Sequence, residues 1–490
     1  MLRELIDMLH IVLLDLIWAF RPLDRMIGKL IPAITGRTDP DQLKANNELA
    51  LRILVLNNNV CNKERMSMEN KNQTAGSGNE HLLRDLDLSG AVAVGLGAVI
   101  GAGIFVVTGV AAGVAGPAFL LGLLFAGLAA TANGLSSAKL ASVYPASGGT
   151  YEYGHQVLTP EAGFAAGWMF LLSKLSAGGV VALGFGGYLN ALIPGVDQRV
   201  AAGSAIVILT LANLFGIKKV GFINKIIVSI TIGGLLYFIG SGVRHVDPAN
   251  LTPFVPNGWR SVAQSAGLLF FAFTGYARIT TLGGEVRDPK KTIPKAVILT
   301  LITSILLYSL VGIVAAGSVG AEALGAAEAP LEAAAAVFTT PGITAVIGLS
   351  ACTAMLGVLL SQILGISRMF FAMAERKDLP GVFKRVSSAG VPIVSILTAA
   401  TIIFLMAMVG TIPVIARTAT FSILLYYSIA NISAIRMKEG QEMFPKWISF
   451  AGLFACLFMA VTMDLPVILS GLAVLAAGFI LRWIVKGVLS

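Results

Sequence analysis

The chain has 490 residues, 56% hydrophobic and only 12% charged, with a mean hydropathy of +0.83. Soluble domains carry roughly 25% charged residues, so this composition excludes an ordinary soluble domain and points to an all-α polytopic membrane protein. The net charge of +9 would suit a nucleic-acid surface, but the placement of the basic residues assigns it to membrane topology and anionic lipid instead, with no nucleic-acid partner.

The first 85 residues read as a cytoplasmic N-terminal extension. Met8–Phe20 is too short to span and carries Asp15, so it reads as an interfacial amphipathic helix. Asn70–Glu80 is a polar linker expected to be disordered, and Met66 and Met68 just before it are alternative start positions.

A bilayer span needs about 20 apolar residues. Twelve apolar runs follow, beginning near Leu88, Pro117, Glu161, Val200, Val220, Trp259, Ile293, Pro341, Val391, Ile412, Trp447 and Leu465, with the last two expected to be the shortest. An even number puts both termini on one side. With the N-terminus inside, the cytoplasmic segments hold sixteen Lys and Arg residues, among them Arg287, Arg376, Arg436 and Arg482, against Arg199, Arg244 and Arg260 outside. This bias places both termini in the cytoplasm, and the expected location is the plasma (inner) membrane.

The first run contains "GLGAVIGAGIF" (Gly95–Phe105), four glycines where lipid punishes unpaired backbone most severely. A helix broken there offers N–H groups to a carboxylate and carbonyls to an ammonium or cation. Gly97 and Gly101 also form a GxxxG step, so the glycines alone are equally compatible with helix packing. The sixth run repeats the interruption: Thr274–Gly275 stands in its middle, sixteen residues after Trp259, as Gly103 stands fifteen after Leu88. Corresponding breaks are what two inverted five-helix repeats give, and they point to a midplane site between them. On that reading Gly103→Val should abolish binding in a protein that still folds.

Other polar residues lie at membrane depth. Lys174 sits near the middle of the third run, where a lysine costs roughly 2.5–3.5 kcal/mol to insert and ordinarily faces a cavity or partner. Arg278 lies one turn past the sixth-run break, able to bind a substrate anion or to fix its helix. Ser361 and Gln362 in the eighth run are polar partners or helix glue, and Arg417 near the outer end of the tenth is expected to snorkel. Glu285 and Asp288 are expected to fix their loop to nearby Arg or Lys rather than bind substrate.

The scattered Cys61, Cys352 and Cys456, and the histidines His10, His81, His155 and His245, give no disulfide framework, metal site or cofactor.

"GAVIGAGIFVVTG" resembles the first helix of amino acid–polyamine–organocation (APC) superfamily permeases, in particular the cationic amino acid transporter-like branch. "YPASGGTYEYG" (Tyr144–Gly154), "GGEVRDPKKTIPKAV" (Gly283–Val297) and "SRMFFAMAERKDLP" (Ser367–Pro380) agree with it in order. The resemblance implies a LeuT-type fold: a ten-helix transporter core (residues 86–438) with helices 1 and 6 broken, then two accessory helices (439–490), working as a secondary permease by alternating access. It also implies that Ile100, Gly101, Ala102 and Gly103 bind the substrate carboxylate, and that Phe270, Phe273, Thr274 and Gly275 hold its amine and side chain. Two positions depart from the pattern. Lys139 stands where many relatives have glutamate, and Thr231 where proton-coupled relatives carry lysine.

The expected function is proton-coupled symport of a neutral or small amino acid, with Lys174 replacing the missing lysine. Sodium is disfavoured, since Thr353 and Ser361 stand two turns apart. The alternatives are an uncoupled facilitator or exchanger for cationic amino acids or polyamines, and a non-transporting membrane sensor. A membrane-embedded enzyme lacks a catalytic constellation.

Overall fold

The computed structural model describes residues 86–144, 148–214, 220–280, 286–387, 391–437 and 443–489. Met8–Phe20, Asn70–Glu80, Cys61 and Glu285 lie outside them. Within the described residues every one of the twelve apolar runs is helical. The first run forms α1 (Leu88–Val99) and α2 (Thr108–Ala115), and the second forms α3 (Phe119–Val143). The short α4 (Thr150–Tyr153) precedes α5 (Pro160–Leu192), the third run, which is followed by α6 (Gln198–Leu214) and α7 (Val220–Gly242). The sixth run is α8 (Gly258–Phe273) with α9 (Ala277–Thr280), and the seventh is α10 (Pro289–Val319). The short α11 (Ala321–Ala326) and α12 (Pro330–Ala335) lead to α13 (Ile343–Glu375). Then come α14 (Ile393–Val409), α15 (Ile412–Ile435), α16 (Lys446–Thr462) and α17 (Leu465–Leu489).

Seven described stretches are long and apolar enough to cross a membrane, and one of them, Leu88–Val143, takes in the first two runs. Three more runs (α6, α14 and α16) form shorter apolar helices. The last run, expected to be short, is a helix of 25 residues.

The helix starts are chemically marked. Asp87 accepts the Gly90 N–H at 2.8 Å to cap α1. Thr159 caps α5 with Pro160 at its first position and Glu161 in its first turn, where a carboxylate suits the helix dipole.

The helices pack in two groups. In the first, α3 lies against α8 and α10, and α1 against α10, which brings together runs 1, 2, 6 and 7. In the second, α5 lies against α13 and α6, and α14 against α6 and α13, which brings together runs 3, 4, 8 and 9. The tenth run, α15, touches both, packing on α5, α3 and α8.

The eleventh run is held by polar side chains. Asn133 of α3 and Asn431 of α15, both fully buried, hydrogen-bond to each other, and Asn133 Nδ2 also reaches Cys456 Sγ of α16 at 3.4 Å. Ser136 of α3 meets Ser449 of α16 at 2.9 Å. Apolar contact gives no preference between lipid and a neighbouring helix, so these bonds fix where α16 docks.

Candidate substrate-binding site

The first run breaks after Val99. Ile100 is extended (φ −79°, ψ 103°), and its N–H closes the first half by donating to Leu96 O at 2.8 Å. The ladder resumes when Ile104 and Phe105 both donate to Gly101 O, at 3.2 and 3.4 Å. A π-helical segment, Gly103–Val107, then joins the break to α2. Among the described residues the N–H groups of Gly101, Ala102 and Gly103 therefore fall between two helical ladders, at the start of the second half. That is the arrangement of donors a carboxylate needs. On the other side of the gap Val99 O is already taken, accepting from Tyr308 Oη of α10 at 2.9 Å.

The sixth run does not unwind as expected. It tightens into one 3-10 turn, Thr274–Tyr276, and continues as α9. Thr274 Oγ1 donates to Phe271 O at 2.9 Å, and Tyr427 Oη to Thr274 O at 3.4 Å, so this turn has its polar groups occupied.

The two interruptions cross. A Cβ on Gly103 would stand 2.6 Å from Ala272 Cα, and one on Gly275 would run into the Ala98 carbonyl and lie 2.5 Å from Val99 N. Both glycines are spent on close backbone approach, so packing and binding readings meet at one place. This corrects the expectation that Gly103→Val leaves the fold intact.

Phe270 and Phe273 are fully buried, Phe270 edge-on to Tyr427 at 5.5 Å and Phe273 against Tyr308 at 5.3 Å. They wall the crossing through aromatic partners that the sequence did not single out. Tyr426 and Tyr427, adjacent in the tenth run, carry the contact on to Phe170 of α5, over whose ring Lys174 Nζ stands at 5.8 Å. Sequence reasoning also missed Tyr188 of α5. Its Oη donates to Phe105 O at 2.8 Å and accepts the Leu331 N–H at 3.0 Å, tying the π segment to α12. A buried tyrosine hydroxyl in an apolar run was the available signal, since such a group ordinarily finds a backbone partner. Tyr188→Phe keeps the volume but leaves a buried carbonyl and N–H unpaired. It should lower stability by about 1–3 kcal/mol, read as a fall in the thermal unfolding midpoint in detergent.

The coupling candidates divide. Lys174 and Arg278 are brought close enough for their charges to act on each other. Gly101 packs on Val358 of α13, and one turn further along lies Gln362, whose buried Oε1 has no hydrogen-bond partner among the described residues. Arg278 then lies beside Gly365 of the same helix. Thr231, Ser361 and Thr353 instead spend their hydroxyls within their own helices, Thr231 on Ile227 O at 2.7 Å, Ser361 on Val358 O at 3.0 Å and Thr353 on Leu349 O at 2.9 Å. Arg417, half-exposed, pairs with Asp464 at 2.9 Å, and Gln264 donates to the same carboxylate at 3.1 Å. Asp288 pairs with Lys291 at 3.4 Å, an exposed loop contact.

A family model described as amino acid permease matches residues 90–487. An uncharacterized transporter of Mycobacterium tuberculosis is 38% identical over 404 residues, covering 81% of this chain and 90% of that protein. The branched-chain amino acid permease BcaP of Bacillus subtilis is 27% identical over 439 residues, 84% of this chain and 94% of that one. The vacuolar cationic amino acid transporter 4 of Arabidopsis thaliana is 28% identical over 411 residues, 74% of this chain and 66% of that one. The helical fold of the described residues, the apolar spans and these matches agree: the chain belongs to the amino acid permease family of the APC superfamily, multi-pass membrane transporters and not enzymes.

Proposed function

We propose that this permease carries neutral amino acids by alternating access, in symport with protons. The reading takes the twelve runs as twelve spans of a LeuT-type fold, two inverted five-helix repeats plus two, with both termini cytoplasmic. The observation that carries it is the gap at Ile100–Gly103, where the N–H groups of Gly101, Ala102 and Gly103 open the second half of the first helix. A substrate carboxylate would bind there, with Ile100 and Ala102 beside it and Phe270, Phe273, Thr274 and Gly275 across the crossing.

The two coupling candidates Lys174 and Arg278 are both cations, which disfavours a cationic substrate side chain beside them. The likeness to a branched-chain amino acid permease supports the same reading. Lys174 supplies a proton site where Thr231 replaces the family's lysine, because a lysine passing between water and a dry interior can take up and release a proton. A second reading, an uncoupled facilitator or exchanger for cationic amino acids, is favoured by the likeness to a cationic amino acid transporter.

Competition separates them. Unlabelled leucine should displace labelled leucine from proteoliposome uptake, and should raise the thermal midpoint of the purified protein, while arginine does neither. Saturating competition by arginine with none by leucine sinks the neutral-substrate reading.

A further inference from the structure

Asp378, just beyond the end of α13, is 1% exposed yet holds donors from three other places in the chain. Tyr151 Oη of α4 donates to it at 2.8 Å and Arg482 Nε of α17 at 2.7 Å. His155 Nε2 lies 3.5 Å away and Lys486 Nζ 4.0 Å. Arg482, 5% exposed, also donates to Pro160 O at the start of α5 at 3.1 Å, lies 3.7 Å from Glu161 and covers the Phe164 ring. A second pair, Arg376–Glu152 at 2.6 Å, ties α4 to the end of α13 again.

The clamped segment is one of the connections between the two packing groups, the first in chain order. It leaves α3 of the first group at Val143 and enters α5 of the second at Pro160. Immediately before the clamp stand Gly148 (φ +134°) and Gly149 (φ +57°), conformations that side-chain-bearing residues adopt rarely. Beyond them the chain is fixed to α5, α13 and α17 together.

We infer that Asp378 and Arg482 clamp this connection to the second group, so that Gly148–Gly149 is the pivot on which runs 1, 2, 6 and 7 turn against runs 3, 4, 8 and 9. Arg482, in the last helix, is then a positioning residue for transport. The inference rests on the alternating-access reading given above. It assigns the twelfth run a part in the cycle that its place outside the ten-helix core does not suggest. Two residues in turn geometry that tolerate large changes in φ and ψ, beside a segment held by buried ion pairs, have the anatomy of a hinge.

Burial alone would raise Asp378, but hydrogen bonds from His155, Tyr151 and Arg482, with the Arg482 charge, hold it below the usual carboxylate value. A carboxylate depressed on folding contributes stability above its unfolded-state value and loses it only as pH falls through the lower folded-state value. Asp378 therefore stays ionised between about pH 5 and 8.

The test compares wild type, Arg482→Gln and Arg482→Lys in proteoliposomes. Labelled leucine and labelled arginine are used in parallel, and the comparison is made on whichever the wild type carries. For Arg482→Gln the expected result is a maximal rate down about tenfold with KM within about twofold, and partial recovery in Arg482→Lys, which keeps the charge but not the fork. A wild-type rate in Arg482→Gln overturns the inference while leaving the permease reading intact. A wild type that carries neither amino acid refutes that reading, and the hinge with it.

Should Arg482→Gln fail to assemble, a disulfide between His155→Cys and Gly163→Cys serves instead, because a Cβ on Gly163 would fall within the His155 ring. That cross-link lies wholly on the clamped side. Uptake should match or exceed the reduced level after oxidation, and a block on oxidation would overturn the inference.

Discussion

Replacing Lys174 with glutamine should abolish the part of uptake that a pH gradient drives, in a protein that still inserts and folds. The ammonium stands over the face of Phe170, a cation–π interaction of about 0.5–2 kcal/mol, and the Arg278 charge opposes it. Removing the charge also relieves the roughly 2.5–3.5 kcal/mol that a mid-span lysine costs on insertion. These terms leave the fold close to neutral, so a loss of function cannot be assigned to misfolding. Arg278 cannot stand in for the lysine, because a guanidinium does not release its proton. The measurement is leucine accumulation with and without an imposed inward proton gradient, for wild type, Lys174→Gln and Lys174→Met. Gradient-driven concentration of equal size in wild type and variants removes Lys174 from the mechanism. A wild type indifferent to the gradient makes the protein a facilitator or exchanger.

The second large effect is expected where the interrupted helices cross. Gly275→Ala puts a methyl group into the Ala98 carbonyl and within 2.5 Å of Val99 N. Those are backbone atoms and cannot rotate aside, so α1 and α8 must separate. Overpacking of this kind costs about 1–3 kcal/mol or more. Gly275→Ala should therefore lower the thermal midpoint whether or not leucine is present. Gly101→Ala is the contrasting case. Its added Cβ meets a side chain and not backbone, Val358 Cγ2 at 2.8 Å. It should keep the midpoint of the free protein while weakening the stabilisation leucine provides, since the methyl stands beside the unladdered N–H groups. Full leucine stabilisation in Gly101→Ala would return the first-run glycines to a packing role alone.

Much of the architecture was legible because membrane depth makes sequence rules strict. Each of the twelve apolar runs is helical in its described residues, and the glycines of the first marked a real gap at Ile100–Gly103. The sixth run was misread in degree. Thr274–Gly275 looked like a second gap, but a threonine hydroxyl that bonds back to Phe271 O can tighten a turn without opening it. The sequence offered no partner for Arg417 because Asp464 lies in the turn between the last two runs. The clamp was invisible for a related reason. Counting Arg482 toward topology uses its sign and not its surroundings, and its partner Asp378 lies 104 positions away in a loop of mixed charge. Tyr188, Tyr308 and Tyr427 were not singled out, because no periodicity reports what a hydroxyl will bind.

The polar seam of α3, α15 and α16 also sets a sequence of events. The ribosome delivers Asn133 and Asn431 to the membrane before Ser449 and Cys456 exist. Until α16 arrives, the Asn133 and Asn431 amides and the Ser136 hydroxyl bond only to one another and to carbonyls of their own helices, with hydrogen-bonding capacity left for Cys456 and Ser449. Those groups hold the place of the eleventh helix open, and the nascent transporter carries a mark of incompleteness that only its own later residues erase.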